Sequence, residues 1–117
     1  MAVKNRKIDK TIPDVLRLKL RDMGADIAAA RKIRKLTQSE LAERINVARM
    51  TIVRMERGDH RVSFGAIASA AWVMGLEERL LDTFNPERDP VFQREARLDL
   101  PRRVGGRRND KNEGLDF

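Results

Sequence analysis

Between Gln38 and Arg61 one short stretch carries Arg49, Arg54, Arg57 and Arg61 together with Gln38, Met50, Thr51 and His60. Arginine presents paired N–H donors in a fixed planar fork, which fits the O6/N7 edge of guanine or two phosphate oxygens. Methionine adds dispersion contact, for example with a thymine methyl, and glutamine and threonine add neutral hydrogen-bonding groups. The chemistry open to such a set is recognition of a polyanion. Catalysis is not expected: cysteine is absent, His60 is the single histidine, and no nucleophile–base pair or motif of paired carboxylates occurs. Disulfides and thiolate zinc sites are excluded, and neither a metal site nor a cofactor is expected.

The 117 residues leave room for one ordinary domain with extensions, and the net charge of +7 favours nucleic acid as partner. Plain solubility is the other reading of such a surplus. The charge is concentrated, because Arg31 to Arg61 holds nine basic against four acidic groups whereas Ser63 to Phe84 is acidic or neutral. One nucleic-acid face and one neutral face follow. The longest apolar stretch, Ala66 to Met74, is interrupted by Ser69 and is too short to span a bilayer. Met1 to Lys10 is basic without an apolar core behind it, so a cytoplasmic protein without membrane contact is expected.

Strand-type alternation is nowhere sustained, and Ala, Leu, Arg, Glu and Met recur at three- and four-residue spacing, so the chain reads as all-α. A first helical segment starts at Pro13, with Val15, Leu16, Leu20 and Met23 on one face and Gly24 as a point of interruption. Ala25 to Lys35 continues as helix with Ile27, Ala30 and Arg31 inward. Thr37-Gln38-Ser39-Glu40 has capping-box spacing, which starts a helix at Gln38 that runs to about Ile45 and buries Leu41 and Ala42. Asn46 supplies a left-handed turn. Ala48 to Arg57 is helical with Ile52 and Met55 inward, and Gly58 ends it. Ser63 caps a fourth helix, Phe64 to Met74, and a fifth, Glu77 to Phe84, has Leu80, Leu81 and Phe84 to bury. After Phe84 the prolines and the dense charge mark an extension. The expected division is an N-terminal helical extension over 1–23, a binding domain over 24–84 and a partly disordered C-terminal extension over 85–117.

Two short helices joined by a tight turn form the unit that lays its second helix in the major groove of DNA. The stretch LTQSELAERINVARMTIVRMERG resembles the helix-turn-helix of the phage-repressor class, the Xre or Cro/C1 family, over about Asp26 to Leu81. Gln38, Leu41, Ala42, Val47, Ile52, Glu56 and Gly58 carry the resemblance. Two departures stand out: Asn46 where the family usually has glycine, and Ala48 where a capping Ser or Thr is common. The resemblance implies a five-helix domain and an ion pair between Arg31 and Glu56. Geometry assigns base reading to Arg49, Met50, Thr51 and Arg54, and phosphate contact to Gln38, Arg57, His60 and Arg61.

A single reading helix contacts few base pairs, so a homodimer on a palindromic operator with half-sites about one DNA turn apart is expected. Its interface is sought among Ser63 to Phe84, with the N-terminal amphipathic segment as the alternative. Trp72, Phe64, Ile67 and Met74 read as core or as dimer contact. Asp99-Leu100-Pro101-Arg102-Arg103-Val104, with the terminal Leu115-Asp116-Phe117, resembles HipB-like antitoxins, which neutralise HipA-like kinase toxins. That implies an autoregulating repressor whose Leu115 and Phe117 dock in a kinase toxin. A repressor without a toxin, and a helical scaffold for protein contacts alone, are the other classes.

Overall fold

The computed structural model describes residues 11–99, and the described residues are helical with no strand. α1 spans Asp14–Ile33, α2 Gln38–Arg44, α3 Arg49–Glu56, α4 Phe64–Val73, α5 Glu77–Leu81 and α6 Pro90–Asp99, with a 3-10 turn at Pro86–Arg88. A first compact unit ends at Leu81 and a second begins at Asp82.

α1 is one continuous helix of 20 residues, so Gly24 does not interrupt it. The reason is tertiary. A Cβ at Gly24 would stand 2.6 Å from the carbonyl oxygen of Glu56 and 2.7 Å from the amide nitrogen of Gly58. The missing side chain lets α1 lie directly on the end of α3, and packing offsets the intrinsic helix cost of glycine. The expected inward face of its first half is only partly covered, since Val15 is exposed and Leu20 and Met23 are half-buried.

The capping box forms in both directions: Thr37 Oγ1 accepts from the Glu40 amide at 3.0 Å, and Glu40 Oε1 accepts from the Thr37 amide at 2.8 Å. These bonds hold the Glu40 carboxyl below its usual range, the Thr37 backbone donor being the main cause. Asn46 turns the chain at φ 59, and the Val47 amide donates back to Ala42 at 3.0 Å. Lys35, with φ 61, makes a second left-handed turn between α1 and α2. Ala48 leads into α3 without a side-chain cap, and Gly58 leaves it at φ 77.

α3 packs against α1 and α2, and α2 also touches α4. Leu41, Ala42, Ile52, Met55 and Ala70 form the buried core, with Ile27, Ile45, Val47, Val62, Ala66, Ile67 and Val73 packed around it. Ala42 is fully enclosed where α2 and α3 cross, and a larger residue there would force them apart. Ser63 Oγ accepts from the Ala66 amide at 3.1 Å to start α4, and Gly75, at φ 75, follows its end.

Two expectations change. α5 stops at Leu81 instead of Phe84, and Phe84 is 93% exposed, so it is not buried as expected. Trp72 is 67% exposed and Phe64 is exposed, so of the two readings the core one does not hold for them, while Met74 is buried. The region after Phe84, expected to be partly disordered, holds a 3-10 turn and α6 among its described residues. Asn85 Oδ1 accepts from the Glu87 amide, and Asp89 Oδ1 accepts from the amides of Val91 and Phe92 at 3.0 and 3.2 Å. Each acceptor precedes a proline at a first helical position, a start signal that outweighs the breaking effect of proline. Within this second unit Asn85 and Arg88 both donate to Asp82 and lower its carboxyl pKa, the Asn85 bond being the larger cause.

Candidate nucleic-acid interface

α3 divides its residues between two environments. Ile52 and Met55 are sealed in the core while Arg49, Met50 and Arg54 are exposed and Thr51 is half-buried. Burial of Ile52 and Met55 fixes which way this helix is rotated and sends the arginines outward.

One end of the helix is held by an ion pair. Arg31 Nε donates to Glu56 Oε2 at 2.6 Å and Nη2 to Oε1 at 3.1 Å, with both side chains 8% exposed. The remaining Arg31 donor, Nη1, reaches the Leu36 carbonyl at 2.7 Å, so the guanidinium also fixes the chain between α1 and α2. Burial pushes the Glu56 carboxyl up, but the hydrogen bonds from Arg31 and Gln38 and the charges of Arg31 and Lys32 outweigh it and leave it below its usual value. The Glu56 bond raises the Arg31 guanidinium in return.

The pair extends outward through Gln38. Its Nε2 donates to Glu56 Oε1 at 3.0 Å, and its Oε1 accepts from Arg49 Nη2 at 3.1 Å. Gln38, expected at a phosphate, is thus the bridge between a buried carboxylate and the first arginine of α3. A link across 18 residues leaves no local signature, and sequence reasoning missed it.

Thr51, Arg54 and Arg61 come together around a hollow of about 550 Å³ beside α3, with Asp59 in its wall. Arg61 is held by Asp59: its backbone amide and Nε reach Oδ1 at 2.9 and 3.1 Å, and Nη2 reaches Oδ2 at 3.2 Å. These bonds, the side-chain one foremost, lower the Asp59 pKa. Asp59 is a further residue missed, although its position two residues before Arg61 in a turn was a usable signal. Arg57 is exposed at the end of α3 and His60 is half-buried in the loop. Leu115 and Phe117 lie outside the described residues. No group of three or more metal-ligating side chains occurs among the described residues, and no helix there is long and apolar enough to cross a membrane.

A family model described as helix-turn-helix matches residues 27–80, which covers α2, the turn and α3. The chain is also 30% identical over 100 residues to the immunity repressor protein of Bacillus phage phi105, a match spanning 81% of this chain and 69% of that protein. With two helices crossing at a small alanine, a left-handed turn between them and a second helix that buries one face and exposes arginines on the other, the chain belongs to the phage-repressor (Xre/Cro–C1) helix-turn-helix family.

Proposed function

We propose that this protein is a sequence-specific DNA-binding transcriptional repressor that acts as a homodimer on a palindromic operator. One observation carries the reading: α3 buries Ile52 and Met55 and exposes Arg49, Met50 and Arg54 on its other side, as a helix lying in a major groove requires. The similarity to a phage immunity repressor supports the same role. Arg49, Met50, Thr51 and Arg54 read bases, Arg57, His60 and Arg61 contact phosphates, and Gln38 positions Arg49 through its bonds to Arg49 and Glu56. No catalytic step belongs to this function.

The antitoxin reading rests on the segment from Asp99 to Phe117, of which 100–117 lie outside the described residues, and no observation favours it over a repressor acting alone. Selection of duplexes from a random library, followed by fluorescence anisotropy against selected and scrambled sequences, tests the proposal. The selected duplex should bind roughly 10³-fold or more tightly than the scrambled one at physiological salt. Equal affinity for both, or no binding, overturns it.

A further inference from the structure

The loop leaving α3 borders a second basic hollow, which involves residues that the family match does not reach. Arg17 and Arg21, one turn apart on α1, join Arg57, His60 and Arg61 around a space of about 330 Å³ whose remaining wall is Gly58 and Asp59. Four arginines stand against one carboxylate, and that carboxylate is already bonded to Arg61. The excess of guanidinium over carboxylate in this concavity raises the positive potential there and favours an anion.

Two close backbone approaches build the hollow. A Cβ at Gly58 would stand 2.5 Å from the Leu20 carbonyl oxygen and 2.6 Å from Arg21 Cα, and Gly58 also sits at φ +77. With Gly24 pressed on Glu56 and Gly58 itself, the loop backbone lies directly against α1. A side chain at either glycine would lift Arg17 and Arg21 away from Arg57 and Arg61. The hollow also adjoins the reading surface, because Asp59 and Arg61 line both it and the larger hollow that contains Thr51 and Arg54. Arg17 and Arg21 precede residue 27, where the helix-turn-helix match begins, and lie on the same continuous helix that enters it.

We propose that Arg17 and Arg21, together with Arg57 and Arg61, clamp the phosphodiester backbone of the operator beside the base pairs read by α3, so that the first half of α1 is part of the DNA-binding surface. This rests on the repressor function proposed above. Guanidinium forks suit phosphate oxygens, and such contacts add affinity without adding sequence preference.

The test is a salt titration of affinity for the selected duplex, comparing the full chain with Arg17→Gln/Arg21→Gln and with the charge-keeping Arg17→Lys/Arg21→Lys. Neutralising one or two phosphate contacts should flatten the slope of log K against log salt by about 1–2. The ratio of selected to scrambled affinity and the melting temperature should stay at wild-type values, and the lysine pair should restore most of the slope. An unchanged slope in a glutamine variant that melts like wild type overturns the clamp while leaving the repressor reading intact. Wild-type protein that binds no duplex overturns both. Inorganic pyrophosphate at constant ionic strength separates the other source of the same chemistry: it should not raise the melting temperature. Stabilisation by pyrophosphate that the glutamine variant loses, with an unchanged DNA slope, overturns the clamp in favour of a free phosphorylated ligand.

Discussion

Glu56 holds together the buried and the exposed halves of the interface. It accepts from Arg31 and Gln38 and lies 8% exposed, so its loss strands a guanidinium away from water. Glu56→Ala should cost about 3 kcal/mol in a thermal melt, whereas Arg31→Met/Glu56→Leu should recover most of that, since an apolar pair of similar volume removes both charges at once. Equal stability of the single and double variants would show that the pair is not what holds α3. The same carboxylate predicts an acid limb. Its folded pKa is depressed below the ordinary value of 4.5, so the unfolded chain binds the proton more readily in that window. The stabilisation is therefore complete above about pH 5 and is lost as pH falls through the folded pKa. Glu56→Gln should melt lower at neutral pH and lose less between pH 5 and pH 3, and parallel curves for the two proteins would contradict this. Arg49 is the most exposed end of the network. Arg49→Ala should weaken the selected duplex by about 1–3 kcal/mol and narrow the gap to scrambled DNA. Uniform weakening on both duplexes would move Arg49 from base reading to backbone contact.

At the scale of the element, α1 and α3 are set against each other by two glycines that act for different reasons. Gly24 is in an ordinary helical position, where alanine would normally stabilise by about 0.5–1 kcal/mol. Here the added Cβ would meet the Glu56 carbonyl oxygen at 2.6 Å, a backbone atom that cannot swing aside. Gly24→Ala should therefore destabilise by about 1–3 kcal/mol, the reverse of its intrinsic effect. A rise in melting temperature would show that α1 can shift freely. The start of α2 depends on a local device instead. Thr37→Ala removes one side of the capping box and should cost about 1 kcal/mol without altering sequence preference.

For the whole molecule, net charge and exposed apolar groups make separate statements. The +7 surplus favours DNA of any sequence, so overall affinity should fall steeply with salt while preference survives. Trp72 is the single tryptophan and 67% exposed, near the exposed Phe64 in sequence on α4. If the dimer forms through α4, Trp72 emission should shift to the blue as concentration rises through the dimer Kd, in step with sedimentation. Dimerisation without a spectral change would direct attention to the first half of α1. Deleting residues 100–117 should leave operator affinity intact, and loss of binding would add that segment to the DNA surface.

What could be read from the residues in order was whatever is decided within one turn of chain. The Thr37/Glu40 box, the Ser63 cap, the left-handed Asn46 and the terminating Gly58 are contacts or dihedrals over a few residues, and their residue types declare them. The periodic burial of Leu41, Ala42, Ile52 and Met55 was legible for the same reason, as was the outward direction of Arg49 and Arg54. In the proline-punctuated region breaker and starter use the same residue, and only the acceptor ahead of it, Asn85 or Asp89, tells them apart. Tertiary structure alone decided that Gly24 is a contact and not a break, that Gln38 faces Glu56, that Phe84 stays exposed, and that Arg17 and Arg21 sit beside Arg57. Those outcomes depend on how closely two backbones approach across long stretches of sequence. That distance is set by the packing of the entire unit and is written in no single segment of it.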